Sequence, residues 1–367
     1  MRKITLLAFA MAMLLPAGTR AGQTTATTAT GGAPRIENAQ RETQAADAGL
    51  VSAVQAVAQE AEKPTWIGYR VPRVNGERSI CCGNYNDGEI CGTCRLENER
   101  GGVNINRTDA VKLESSRELV VLLRAENRNV MRVRVASEDC TLDAGGARFV
   151  WLTGVKAEES VQMLSGYVFS GTFAAHEHSG MGDEAVMAIA LHADPVADRA
   201  LVKFTEASQP EELRKKTVFW LGEARGAAGL ERLKALEKSD PSTEVRSQIA
   251  FALSVSREAG ALDEMIRMAK DDISSHVRGQ ALFWLAQKAG KKAVSAIDAA
   301  IENDPETDVK KKAVFALSQL PKDEGVPKLI EVAQSNRNPE VRKQAMFWLG
   351  QSNDPRALEF FEKVLSR

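Results

Sequence analysis

No charge of either sign dominates this chain of 367 residues, in which 48 basic side chains meet 49 acidic ones. Such balance leaves no whole-molecule field to gather a polyanion, so nucleic acid and an anionic membrane surface are excluded as expected partners. Histidines number only four. No GxSxG, HExxH, P-loop or dinucleotide fingerprint occurs anywhere in the chain. Enzymatic chemistry has no motif to rest on, and the expectation is a non-enzymatic protein with no cofactor. Long apolar runs are missing too. The stretch from Ile4 to Leu15 follows Arg2 and Lys3 and precedes Pro16, with Thr19 and Ala21 spaced as a cleavage site requires. It falls short of the ~20 residues that a membrane-crossing helix needs, and no later segment approaches that length. Residues 1–21 therefore read as a secretory signal, no integral membrane span is expected, and the mature protein is placed outside the cytoplasm, periplasmic or secreted.

Beyond the signal, residues 22–62 begin with the small, polar QTTATTATGG and continue Ala- and Gln-rich. They are expected to be a linker, with at most a solvated helix whose apolar stripe (Leu50, Val51, Val54, Val57) is thin. Residues 63–175 change to period two and read as a β-rich domain. Met131, Val133 and Val135 alternate with Arg132 and Arg134, and ENRN separates them from the apolar run Leu119 to Leu123, which predicts a hairpin. Trp66 to Val71, Glu89 to Leu96 and Phe149 to Leu152 are further candidate strands, and a helical period starts near Glu158. All five cysteines lie in this domain: Cys81, Cys82, Cys91, Cys94 and Cys140. In an exported protein they are expected to form disulfides, with one left over because the number is odd. Cys91 and Cys94 have zinc-ligand spacing, yet the adjacent Cys81 and Cys82 make a poor second pair. His176 and His178, near Asp183, sit in a Gly-rich joint that preorganises ligands badly, so no metal is expected. His192 and His276 are expected to be structural.

From residue 181 to 367 the chain repeats itself every 32 residues: LRKKTVFWL from Leu213, VRSQIAFAL from Val245, VRGQALFWL from Val277, VKKKAVFAL from Val309 and VRKQAMFWL from Val341. A fixed period of this length marks a solenoid of stacked units. Wound at 100° per residue, Val245, Ile249, Ala252, Leu253 and their equivalents share one inward face. Trp220, Trp284 and Trp348 fall in that Ala252 column and are expected in the core. The recurring Phe lies off it and is expected to pack between repeats. A second helix in each unit is anchored by Leu230, Leu262, Val294, Val326 and Leu358. Met181 to Ser208 gives a divergent sixth unit, a cap shielded by the β domain. Asp240-Pro241 and Asp304-Pro305 recur 64 residues apart, as duplication of a two-unit block would leave them.

The turn followed by Val-Arg and then Ala/Phe-Leu resembles the short bacterial HEAT-like repeats, which implies an α-solenoid of two helices per 32-residue unit, preceded here by the small β-rich domain. The resemblance also implies that the Arg after the Val bonds acceptors in adjacent turns; the matching residues are Arg214, Arg246, Arg278, Lys310 and Arg342. Solenoids of this kind bind protein or peptide partners along a helical face. On the second helices the residues pointing away from the core include Glu231, Arg232, Asp263, Glu264, Arg267, Lys328, Glu331, Glu359 and Lys363, and their mixed charge predicts a polar partner. Phe360 replaces mostly polar residues of its column, so a homodimer through the C-terminal repeat is a further expectation. Two other readings stay open. One is an enzyme or a metal or redox protein acting through the Cys-containing domain with the solenoid as docking arm; the other is a structural component of the cell envelope.

Overall fold

The computed structural model describes residues 33–74, 79–81, 84–86, 90–91, 93–97, 103–104, 111–112, 117–170 and 180–366. The expected signal, the linker up to residue 32, Cys82, His176 and His178 lie outside these residues, and of Cys81 and Cys91 only the backbone is described.

β1 (Ile36–Glu37), β2 (Gln40–Ala45), α1 (Leu50–Glu60) and β3 (Thr65–Pro72) open the described chain. Short strands follow: β4 (Ser79–Cys81), β5 (Asn84–Asn86), β6 (Ile90–Cys91), β7 (Thr93–Arg95), β8 (Val103–Asn104) and β9 (Val111–Lys112). β10 (Glu118–Glu126) and β11 (Asn129–Ser137) then form the expected hairpin. Its two-residue turn, Asn127 and Arg128, has φ of 51° and 63°, the left-handed geometry whose twist matches that of the flanking strands. β12 (Leu142–Asp143) and β13 (Arg148–Thr153) complete the strands.

The main sheet is mixed, in the order β11-β10-β3-β13-β2, with β13 parallel to both β3 and β2. It is buried on both faces, which is why Leu119 to Leu123 is continuously apolar rather than alternating. Ile67, Tyr69, Val121, Leu123, Val133 and Val150 face the larger core, while Trp66, Val120, Leu122, Phe149 and Trp151 face a smaller one with Cys94, Leu96, Cys140 and Leu142. Gly68 sits in the centre of β3 because a Cβ there would lie 2.9 Å from the Phe149 ring.

Residues 33–62 are a correction to the expected linker. α1 buries Leu50, Ala53, Val54, Val57 and Ala58, so alanines widen the stripe that looked thin. β2 pairs with β13 through all six of its residues although every one of its side chains is exposed. With no apolar alternation, nothing in its composition announces a strand.

α2 (Ala157–Ser170) lies over the larger core and is followed by twelve helices in six pairs among the described residues. These are α3 (Met181–Leu191) with α4 (Pro195–Phe204), α5 (Glu211–Ala224) with α6 (Gly226–Ser239), and α7 (Thr243–Val255) with α8 (Gly260–Asp271). α9 (Ser275–Ala289) with α10 (Lys291–Asn303), α11 (Thr307–Ser318) with α12 (Lys322–Ser335), and α13 (Pro339–Gln351) with α14 (Pro355–Leu365) complete the stack. First helices pack against first helices along the series α3, α5, α7, α9, α11, α13. The inward face is the expected one: Val245, Ile249, Ala252 and Leu253 are buried, as are Val277, Ala281 and Leu285.

α3 is buried almost all round, because β11 and α2 cover it on the side away from α5. The backbone continues this seam: Val74 N donates to Leu191 O at 2.9 Å and Ala193 N to Pro72 O at 2.9 Å. Residues 33–367 consequently form one compact unit, with a shared apolar core running from sheet to solenoid. Ser160 and His192 close the seam. His192 Nδ1 lies 2.7 Å from Ala188 O, an obligate acceptor, so Nδ1 carries the proton and Nε2 accepts from Ser160 Oγ at 2.9 Å. Ser160 Oγ in turn accepts from Tyr69 OH at 2.8 Å. All three residues are fully buried, and burial pushes the His192 imidazole down to about 4.

The arginines after the Val form a ladder. Arg214, Arg246 and Arg278 each hold an aspartate 26 residues on in a two-pronged pair: Nε to Asp240 Oδ2 at 2.9 Å, to Asp272 Oδ2 at 2.9 Å and to Asp304 Oδ2 at 2.7 Å. Their Nη1 groups reach back to the preceding turn, Arg246 to Asp240 O and Arg278 to Asp272 O, both at 2.9 Å. Each aspartate thus fixes one unit to the next, and it also accepts the backbone N–H two residues on, as Asp272 Oδ1 does from Ser274 N at 2.7 Å. Lys310 bonds Glu302 O at 2.7 Å instead, and Arg342 bonds Asn336 O at 2.8 Å.

Candidate interaction surface

The second helices carry fewer free charges than their sequence suggests. Arg232 folds back to Thr205 Oγ1 at 2.8 Å, and partial burial lowers its affinity for the proton. Glu264 is 7% exposed and accepts from Arg267 Nη2 at 2.7 Å, while the same guanidinium bridges to Glu237 on α6. The hydrogen bonds to Glu264 and Glu237 hold Arg267 in its charged form. Lys328 spans Asp298 on α10 at 2.9 Å and Glu331 at 3.1 Å, with its ammonium stabilised by the Asp298 hydrogen bond. Arg232, Arg267 and Lys328 are therefore cross-links between neighbouring units, and Glu264 steadies Arg267 from the same helix. The reason is geometric: two positions past its anchor, a second helix faces the helix before it rather than solvent. Glu231, Asp263, Glu331, Glu359 and Lys363 do stand exposed on this face.

The first helices present the larger surprise. Trp220, Trp284 and Trp348 are half-buried and not core residues. With the recurring phenylalanines they make an unbroken chain of rings across five units. Phe219 touches Trp220 (5.0 Å between ring centres) and stacks on Phe251 (5.6 Å). Phe251 meets Trp284 (4.6 Å), which meets Phe283 (4.9 Å), stacked on Phe315 (5.8 Å). Phe315 meets Trp348 (4.8 Å), and Trp348 meets Phe347 (5.0 Å), itself 55% exposed. Phe packing between repeats was legible; the position of the tryptophans was not, because 100° winding places their column at the margin of the buried face.

Two other expectations land differently. His276 is exposed in the first turn of α9. Phe360 is buried, while Phe347, Leu358, Val364 and Leu365 are the exposed apolar residues of the last pair. Cys94 and Cys140 are buried side by side in the smaller core's residue set, and neither is a free thiol. Among the described residues no cluster of metal-ligating side chains occurs, and no helix is long and apolar enough to cross a membrane.

Helix pairs stacked on a common core, joined by a repeating arginine ladder, define an α-solenoid. Residues 197–286 and 294–367 match the family described as HEAT repeats, so the C-terminal region is a HEAT-repeat array. Among solved structures the chain is similar to the Escherichia coli protein YibA, at 24% identity over 46% of this chain and 64% of that one (TM-score 0.33). It is also similar to human deoxyhypusine hydroxylase, at 20% identity over 49% and 71% (TM-score 0.25). The complex of CpcE and CpcF of phycocyanin lyase from Nostoc matches at 22% identity over 42% and 99% (TM-score 0.32). The chain spans less than two thirds of the YibA chain's length. Among curated proteins none matches.

Proposed function

We propose that the protein is an exported, non-enzymatic scaffold that binds a protein or peptide partner along its HEAT array. The observation that carries this reading is the ring chain from Trp220 to Phe347, an apolar strip half-open to solvent along five units. Such a strip is larger than a monomer's scattered surface apolar residues, and strips of this kind serve contact with another molecule. The exposed charges Glu231, Asp263, Glu359 and Lys363 supply a polar rim. The full chain, used as bait in an extract of its own source, should retain a partner saturably, and either Asp263→Lys with Glu359→Lys, or Phe347→Asp, should weaken retention at unchanged melting temperature. Retention that neither variant alters would mean that the array is not the binding element. Export rests on the signal-like segment and on the disulfides expected in an oxidising compartment; a mature protein beginning near residue 22 in the extracytoplasmic fraction supports it, and an intact N-terminus in the cytoplasm removes it.

Self-association is a second reading, favoured by Phe347, Leu358 and Leu365 at 55%, 63% and 84% exposure in the last helix pair. Light scattering of the wild type and of Leu358→Glu separates the two: a dimer that the substitution dissolves supports it, and a monomer throughout removes it.

A further inference from the structure

The strip of rings is not uniform. Along α11 the residues Asp308, Lys311, Lys312 and Phe315 fall at i, i+3, i+4 and i+7 and share one side of the helix. Together with Ser275 and His276 of α9 and Gln344 and Trp348 of α13 they line an open groove of about 650 Å³. Its aromatic wall is the tilted pair Phe315 and Trp348.

Three features set this groove apart. Lys312 makes no ion pair among the described residues, whereas Lys216, its counterpart three units earlier, lies 3.5 Å from Asp183. Lys312 is also seated: a Cβ at Gly279 would lie 2.2 Å from Lys312 Cδ. Glycine occurs in that column in this unit alone, its counterparts being Lys215, Ser247, Lys311 and Lys343. The missing side chain lets the lysine stem lie across α9. Finally, the Trp348 indole N–H is buried and meets no acceptor among the described residues, an arrangement rare for a buried donor. The groove thus offers a cationic excess, with Lys311 and Lys312 against Asp308, beside an apolar wall.

We propose that this groove binds an acidic peptide segment bearing a proline or aromatic side chain beside its carboxylate. The carboxylate pairs with Lys312, and the apolar side chain rests on Phe315 and Trp348. Stacked helices lie ~8–10 Å apart, so α9 to α13 spans ~20 Å, the reach of about six extended residues. The proposal rests on the reading of the array as a polypeptide binder and names a site and a partner chemistry within it.

The test uses the full ¹⁵N-labelled chain and two synthetic hexapeptides, acetyl-Glu-Pro-Glu-Phe-Glu-Glu-amide and the same peptide with Lys for every Glu. The Trp348 indole signal is assigned by its loss in Trp348→Phe. It should shift saturably with the acidic peptide at concentrations up to about 1 mM and not with the basic one. Lys312→Glu should raise the dissociation constant by at least ~tenfold. Gly279→Ala, which keeps every charge and favours the helix but displaces the lysine stem, should raise it as well. An indole signal that the acidic peptide leaves unmoved, one that the basic peptide moves equally, or affinity untouched by both variants overturns the proposal. Partner retention that depends on Asp263 and Glu359 but not on Lys312 would leave the scaffold reading standing and remove this site.

Discussion

Lys310 and Asn336 stand where the arginine ladder has Arg and Asp, and they depart together. In the three units with full pairs, arginine and aspartate are 26 residues apart, and 310 plus 26 is 336. A lysine cannot make the two-pronged contact, and an asparagine does not require it. Asn336 keeps the other duty of the column, accepting from Asn338 N at 3.0 Å. Removing Arg246 or Arg278 leaves a buried carboxylate without its partner, which should cost about 3 kcal/mol in urea unfolding. Lys310→Arg with Asn336→Asp should rebuild the fourth rung, so that the double variant is more stable than its two single changes summed; strict additivity would show that the rung does not form. The arginines were legible from their column between apolar ones. Their partners were not, because periodicity reports which residues share a column and says nothing of which two columns meet. Asp240 and Asp304, each followed by a proline, share the ladder with Asp272, which does the same work without one.

At the scale of single elements, periodicity located what buries an apolar stripe and missed what does not. The second helices were found, yet Glu264 and Arg267 were placed in solvent. Arg267 bridges Glu264 and the buried Glu237 of the preceding second helix, so Arg267→Ala should destabilise the chain by roughly 1 to 3 kcal/mol through two carboxylates left without a donor. A cost near zero would place both carboxylates in effective contact with water. The β10–β11 hairpin was legible from alternation on one arm and an apolar run on the other, although its turn is unfavourable in one respect. Arg128 holds a φ of 63° that suits glycine and strains a residue with a Cβ. Arg128→Gly should therefore stabilise by about 1 kcal/mol, and a loss of stability would mean that its contact with Glu62 at 3.5 Å outweighs the backbone strain. β2 escaped notice because it has only exposed side chains, and α1 was expected only as a solvated helix because it packs partly through alanines that hydropathy weighs lightly.

For the whole molecule, the seam between sheet and solenoid decides how the chain responds to pH. Tyr69 comes from the sheet, Ser160 from α2 and His192 from the end of α3, so the buried chain of hydrogen bonds ties three layers together. Its donors and acceptors are all used only when the imidazole is neutral, since a proton on Nε2 would make that nitrogen a donor to Ser160 Oγ and leave the Ser160 hydroxyl hydrogen without its acceptor. Asp194 favours the charged imidazole and Arg225, whose Nη1 donates to His192 O at 2.6 Å, opposes it; burial outweighs both. The unfolded imidazole titrates near 6.5 and the folded one at about 4. Between those values the unfolded chain holds the extra proton, so this contribution is complete above pH 6.5 and is lost progressively as the pH falls towards 4, by at most about 3 kcal/mol. Glu184, whose carboxyl burial raises, acts in the opposite sense, and comparison with His192→Gln cancels it. Because sheet and solenoid share one core, fluorescence of the tryptophans and far-ultraviolet dichroism should report a single coincident thermal transition. Its midpoint in the wild type should drop between pH 7 and pH 5 by more than in His192→Gln. Equal drops would show that the histidine is protonated in the folded chain and that the seam tolerates the charge.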